Sequence, residues 1–118
     1  GLILQRSADN TAIKRLLRRN SIVGWFYNAQ ELLSFNRSTL YLSISILDRL
    51  ILADFEVEDY STNLLAGTIL LICSKFNEIY PVQIKTIILK LSANSGLKRN
   101  EFVAMEGVLL EKLKYNIV

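Results

Sequence analysis

One uninterrupted apolar stretch near the middle of the chain constrains the fold more than any other feature. From Leu64 to Cys73 there is no charged residue, and only Gly67 and Thr68 interrupt the hydrophobic side chains. A helix that is apolar around its whole circumference lies either in a membrane or at the centre of a protein core. Because a bilayer span takes about 20 apolar residues, this stretch is too short to cross one. The sequence therefore predicts a buried central helix.

Hydrophobic periodicity in the rest of the chain predicts an all-α protein. Five Gly and one Pro in 118 residues are too few for a turn-dense sandwich of strands. Asp59 is the expected N-cap of the central helix, and Pro81 is expected in the first turn of the helix that follows it. Around the central helix, the pattern predicts one short helix over 11–18 and longer helices over 21–34, 38–53, 81–91 and 99–114.

The residue types that are missing exclude many kinds of active site. The chain has no histidine, so it has no His general base, His-activated nucleophile or His metal ligand. A single cysteine leaves a zinc site without its usual ligands. Gly67 and Gly107 are isolated within helical patterns, so no glycine-rich phosphate loop is present. We therefore expect that the protein binds no cofactor or metal and is not an enzyme, although an active site built from carboxylates alone is an open alternative.

The cysteine usage and the N-terminus indicate where the protein works. Cys73 has no intramolecular disulfide partner, and within an apolar run we expect it to act as a small hydrophobe in a reducing compartment. No secretory signal is visible in the first residues of the given sequence. We expect an intracellular protein of the nucleus or cytoplasm, without a membrane partner. Since the sequence begins with Gly1 rather than Met, we also expect it to be a fragment.

Four cations are concentrated between residues 14 and 19, just before the first long helix. Such a basic cluster is able to contact phosphates. It also fits the solvated side of a short amphipathic helix whose apolar residues are Ile13, Leu16 and Leu17. We favour the second interpretation, because the exposed aromatic residues that single-strand binders use for stacking are absent there.

Three ionisable residues lie on otherwise apolar helix faces. Asp48 has Ile44 four residues before it and Ile51 three residues after it, so a cationic partner is expected, either Arg19 or Arg49.

Lys75 and Glu106 are the other two ionisable residues on apolar faces. Lys75 follows the apolar run, where a cation complements the helix C-terminus. Glu106 lies on a stripe with Phe102 and Leu109. In the structural interpretation, Lys75 is simply a favourable C-terminal residue of its helix and Glu106 pairs with a neighbouring helix. In the alternative, both are half-buried groups that wait for backbone donors and acceptors of a binding partner.

Several motifs of this chain resemble those of cyclins, in particular the mitotic A and B types. Residues 74–81, S-K-F-N-E-I-Y-P, are similar to the S-K-(F/Y)-E-E-I-Y-P motif of that family. Residues 39–49 contain T-L-Y-L and L-D-R, and residues 105–115 contain M-E and the L-x-F-like ending. Trp25 has the position of the tryptophan in the first cyclin helix. The resemblance covers most of the chain, in the family's order.

The resemblance implies a cyclin box, which is a five-helix domain with a buried third helix. Here it would cover residues 19–118 and follow a basic N-terminal segment, 1–18, with a short helix. Its implied function is that of a regulatory subunit in cell-cycle control, which binds and activates a cyclin-dependent protein kinase by docking on the kinase's αC helix.

The resemblance also implies roles for individual residues. Lys75 and Glu106 would hydrogen-bond backbone groups beside the kinase helix, and the family's buried Arg–Asp pair corresponds to Arg19 and Asp48. The apolar pocket that receives side chains of the kinase would consist of Ile72, Phe76, Leu110, Tyr115 and Ile117.

Departures from the family pattern affect a second site, the groove that docks R-x-L substrates. The motif M-R-A-I-L is R-R-N-S-I over residues 18–22. We therefore expect a degenerate groove at Ile22, Trp25 and Asn63 that recruits such substrates poorly. The alternative function is a cyclin-fold transcription adaptor, similar to factor IIB, that binds DNA or polymerase. Only the basic cluster supports it, so we do not expect a nucleic-acid partner.

Overall fold

The protein consists of helices joined by short connections. The computed structural model describes the backbone of residues 2–117 and the side chains of residues 10–117, and no strand occurs in that part of the chain. These findings confirm the predicted all-α class. The helices are α1 (Leu2–Leu33), α2 (Arg37–Leu52), a 3₁₀ turn (Val57–Asp59), α3 (Thr62–Asn77), α4 (Ile84–Thr86, continued by a π-helical turn over Ile87–Leu91) and α5 (Arg99–Lys112).

Helix α3 occupies the centre of the molecule. Every residue from Leu65 to Ser74 is buried, and helices α1, α2 and α5 all pack against this segment. The predicted buried helix is thereby confirmed. Cys73 lies fully inside the core, where burial raises the pKa of its thiol to about 12. The thiol therefore stays protonated and acts as a small hydrophobe, as expected. Between residues 2 and 117, no helix is both long and apolar enough to span a bilayer.

The N-cap of α3 lies two residues later than predicted. Ser61, rather than Asp59, is the N-cap, and its hydroxyl accepts a hydrogen bond of 3.1 Å from the backbone N–H of Leu64. Asp59 instead ends the preceding 3₁₀ turn. The N-cap prediction was therefore wrong, because the 3₁₀ turn takes up Asp59 before the helix begins.

Helix α1 is continuous, whereas two separate helices were predicted in this region. Residues 11–18 are helical as expected, but they join the next segment without a break, and the helix runs from Leu2 to Leu33. No Pro interrupts this stretch, and Arg15 and Arg18 hydrogen-bond to residues near the start of α3. These tertiary contacts hold the polar middle of the helix against the domain.

Helix α4 begins later than predicted, because the chain after Pro81 is extended. The hydroxyl of Ser74 accepts a 3.0 Å hydrogen bond from the backbone N–H of Val82, which holds this segment against α3. Helical structure then starts at Ile84. At the other end, the buried Ser92 hydroxyl donates to the carbonyl of Ile87 at 2.9 Å. The predicted Pro81 start was therefore wrong, because a side chain of α3 binds the backbone there.

Close packing around Gly67 leads to a stability prediction. A Cβ atom at Gly67 would lie 2.8 Å from Cε1 of Phe102 and 3.1 Å from Cγ2 of Ile87, and both neighbours are fully buried. We expect Gly67→Ala to lower the free energy of unfolding by about 1–3 kcal/mol, since the core must shift to admit the methyl group. Urea titration would measure the change.

Gly24→Ala is the matched control for this prediction. Gly24 is also inside a helix, but a Cβ atom there would meet nothing within 4 Å. Alanine at this position should be neutral or stabilise the protein by up to about 1 kcal/mol. Equal free energies of unfolding for the two variants would contradict the close packing of α4 and α5 against α3.

Candidate functional site

Lys75, in the last turn of α3, lies beside Glu106, in the middle of α5. Their side chains form an ion pair, with 2.8 Å between Nζ of Lys75 and Oε2 of Glu106. The Lys75 side chain is 54% exposed and that of Glu106 is 24% exposed. An exposed pair of this kind contributes at most about 1 kcal/mol. Lys75 and Glu106 therefore pair with each other in the free chain. Because this pair is weak, another protein is able to separate the two charges at a small cost in free energy.

The apolar and aromatic residues expected in the kinase-binding pocket fall into two groups, which differ in burial. Ile72 is buried, and the partly buried Leu110 and Ile117 pack against the core cluster that contains it. Phe76 and Tyr115, by contrast, are 58% and 70% exposed. The five residues implied by the cyclin resemblance therefore divide into a fixed apolar base and two accessible aromatic rings.

A polar network fastens the end of α3 to the start of α2. Glu78 accepts hydrogen bonds from the backbone N–H of Asn36, at 3.3 Å, and from the hydroxyl of Thr39. The Asn77 amide donates to the hydroxyls of Ser38, at 2.7 Å, and Thr39, at 2.9 Å. The carboxylate also complements the helix dipole of α2, whose own N-cap side chain forms no capping bond. Asn77, where cyclins carry an acid, is therefore a structural donor here.

Arg19 and Asp48 pair across α1 and α2, but they are not buried as expected. Nε and a terminal nitrogen of Arg19 lie 2.7 and 3.1 Å from the two carboxylate oxygens, and this contact raises the pKa of Arg19. The side chains are 33% and 43% exposed, because Arg19 lines an open groove beside Ile51. Arg49, the other possible partner, donates instead to the carbonyl of Ile117 at 3.2 Å. No sequence pattern indicated that contact.

The basic cluster of α1 is largely engaged within the chain. Arg15 forms hydrogen bonds of 2.9 and 2.8 Å to Glu58 and one of 2.8 Å to Asp54. Arg18 donates to the hydroxyl of Thr62 at 2.6 Å. The hydrogen bonds from Arg15 lower the pKa of Glu58. These contacts attach α1 to the connector between α2 and α3. The basic cluster is therefore more than the solvated side of an amphipathic helix, because it also forms tertiary contacts.

Two of the three residues expected in the substrate groove bind each other. Nε1 of Trp25 donates to Oδ1 of Asn63 at 3.0 Å. The Trp25 ring also packs edge-to-face on Phe26, with 6.1 Å between ring centroids. Ile22 is fully buried, so it is a core residue and offers no surface to a ligand.

The amino-acid sequence matches a known family. The family profile described as "Cyclin, N-terminal domain" matches residues 4–118. This chain belongs to the cyclin family. The cyclin box is similar to G2/mitotic-specific cyclin-B3 of Gallus gallus, with 30% identity over 84% of this chain and 24% of that protein. It is also similar to G2/mitotic-specific cyclin-A of Patella vulgata, with 25% identity over 84% of the chain and 22% of that protein.

A third relative covers nearly the whole chain. Cyclin-A2 of Xenopus laevis is 25% identical over 97% of the chain and 26% of its own length. The chain thus spans about a quarter of the curated relatives it matches. No solved structure gives a significant match. The comparisons therefore identify a cyclin box whose relatives are named as mitotic cyclins.

The contact between Arg15 and Glu58 predicts a pH-dependent contribution to the stability of this cyclin box. The folded-state pKa of Glu58 is lowered, so its stabilising effect is complete above the unfolded value of about 4.3 and disappears as the pH falls through the folded pKa. We expect Glu58→Gln to cost up to about 1 kcal/mol at pH 7 and less at an acidic pH well below the unfolded value of about 4.3. Urea titrations at both values would measure this.

Glu31→Gln serves as the control for that measurement. Glu31 is exposed on the same helix as Arg15. Measured at the same two pH values, this variant shows how much of any change comes from removing an exposed carboxylate. A deficit of Glu58→Gln that did not change with pH would contradict the proposed link between the pKa of Glu58 and the attachment of α1.

Proposed function

We propose that this cyclin box binds and activates a cyclin-dependent protein kinase in the nucleus or cytoplasm by docking on the kinase's αC helix. The observation that carries the proposal is the exposed ion pair of Lys75 and Glu106, which adjoins the exposed ring of Phe76. Membership of the cyclin family supports it as well.

The ion pair offers a partner one donor group and one acceptor group at a fixed separation. The Lys75 ammonium donates to backbone carbonyls of the kinase, and the Glu106 carboxylate accepts from backbone N–H groups. Both side chains are attached to helices that pack directly against each other, α3 and α5. The pair is thereby pre-organised, which reduces the entropy lost on binding.

Apolar contacts supply most of the affinity in this proposal. Phe76 and Tyr115 lose exposed surface beneath the kinase helix, while Ile72, Leu110 and Ile117 form the base on which it rests. Buried aromatic anchors of this kind are typical interface hot spots. Docking then moves the αC glutamate towards the lysine of strand β3 in the kinase, and that pair orders the ATP phosphates.

Removing the ion pair tests the proposal. The double variant Lys75→Ala/Glu106→Ala should bind a purified mitotic cyclin-dependent kinase more weakly by about 2 kcal/mol or more, which is roughly a thirtyfold loss. Calorimetry would give the affinity, and phosphorylation of a histone substrate would give the activation. The kinase activity at saturating cyclin box should fall less than the affinity.

Arg19→Ala/Asp48→Ala is the matched control, because it removes an equally charged pair from α1 and α2. It should change the affinity by less than about threefold. The proposal fails if no cyclin-dependent kinase binds the wild-type box, or if both double variants bind as well as wild type. Circular dichroism would establish that each variant is folded.

The alternative, a transcription adaptor that contacts DNA, has less support. Its basis was the basic cluster of α1, where Arg15, Arg18 and Arg19 each hydrogen-bond within the chain. Guanidinium groups that already bind protein oxygens have fewer donors left for phosphates.

We also propose that R-x-L substrates bind this cyclin box poorly. Support comes from the burial of Ile22 and from the hydrogen bond between Trp25 and Asn63. A fluorescent R-x-L peptide should show no saturation below about 1 mM. Arg18→Met/Ser21→Ile restores two of the four positions at which residues 18–22 depart from the family motif, and it should raise the affinity at least about tenfold. Micromolar binding by the wild type would contradict this proposal.

A further inference from the structure

The chain between α3 and α5 carries an unbalanced positive charge. Residues 82–100 contain four cations, Lys85, Lys90, Lys98 and Arg99, and no acidic residue. The first acid beyond this segment, Glu101, already accepts a 2.8 Å hydrogen bond from the backbone N–H of Lys98, where it caps α5. The segment therefore presents positive charge that its own sequence does not neutralise.

Two of these cations border a surface cavity of about 560 Å³. Lys85, from the start of α4, and Arg99, from the start of α5, line it together with Lys75. Lys75 is paired with Glu106, but within residues 10–117 neither Lys85 nor Arg99 lies in an ion pair. No carboxylate lines the cavity. Two positive charges are thus held at one opening without a counter-charge.

Apart from Gln83, the rest of the cavity wall is apolar, and it is attached to the core. Leu71 of α3 is 1% exposed, and the partly buried Val82 and Ile84 flank it. The Val82 backbone is fixed by its hydrogen bond to Ser74. A cationic rim around an apolar wall matches a ligand that combines negative charge with an apolar group.

The composition of the wall discriminates between classes of anion. Inorganic phosphate would leave the apolar wall unused. Single-stranded nucleic acid is bound with aromatic stacking platforms, and no aromatic residue lines this cavity. An acidic peptide offers carboxylates for the rim and a branched aliphatic side chain for the wall, so it uses both parts.

We propose that this cavity binds a short acidic peptide segment of a protein partner. An aliphatic side chain of the segment packs against Val82 and Ile84, and flanking carboxylates pair with Lys85 and Arg99. The site is separate from the proposed kinase contacts except for Lys75 at its edge. It requires no kinase, so the two proposals are tested independently.

The test measures peptide binding by fluorescence polarisation, with no kinase present. The probe is a labelled peptide of four glutamates around a central leucine, and a second probe has serine in place of that leucine. Lys85→Ala/Arg99→Ala removes the rim charges. Lys90→Ala/Lys98→Ala removes the same charge from the same segment, outside the cavity, and is the matched control.

We expect the rim variant to bind the leucine peptide about tenfold more weakly than wild type, since two exposed ion pairs are lost. The control should remain within about threefold, and the serine peptide should bind wild type several-fold more weakly.

An equal loss in both variants would overturn the proposal, because it would show attraction by net charge alone. Equal affinities for the leucine and serine peptides would remove the role of the apolar wall and would also overturn it. The proposal fails as well if a 20-nucleotide single-stranded DNA binds more tightly than the peptide and depends on Lys85 and Arg99. The same holds if no peptide binding is detected.

Discussion

Complete burial of α3 is the constraint on which the rest of the molecule depends. Because the segment from Leu65 to Ser74 has no exposed face, other helices must cover it on all sides, and α1, α2 and α5 do so. Gly67 allows Phe102 of α5 to approach closely. A helix that is enclosed in this way contacts solvent only at its ends. The C-terminal end is therefore where its charged residues become available to other molecules.

The same end of α3 joins several parts of the fold. Lys75 pairs with α5, Glu78 caps α2, and Ser74 holds the extended chain before α4. Stability and recognition are thus coupled at one place, since the groups that would contact a partner lie on the helix that organises the core. The rigid attachment suits a binding surface, because a pre-organised surface loses less entropy on association. Both proposed contact sites border Lys75.

Sequence reasoning succeeded where local pattern and burial agree. The all-α class follows from hydrophobic periodicity, the central buried helix follows from an uninterrupted apolar run, and the cyclin motifs pointed to the family that the comparisons establish. It failed at helix boundaries that distant side chains set. The break expected in α1 is absent, and α4 begins after Pro81 rather than at it. The contact between Arg49 and the carbonyl of Ile117 had no signal in the sequence, because a backbone acceptor carries no residue identity.

The sequence by itself determined the all-α class, which helix is central and which charges lie on apolar faces, since these depend on the spacing of side chains along one helix. Tertiary structure decided how those charges are used. It placed Lys75 beside Glu106, left the pair of Arg19 and Asp48 open to solvent, and gave Asn77 hydroxyl partners on α2. Hydrogen bonds and ion pairs between residues about 30 or more positions apart depend on the packing of whole helices, and no local pattern specifies that packing.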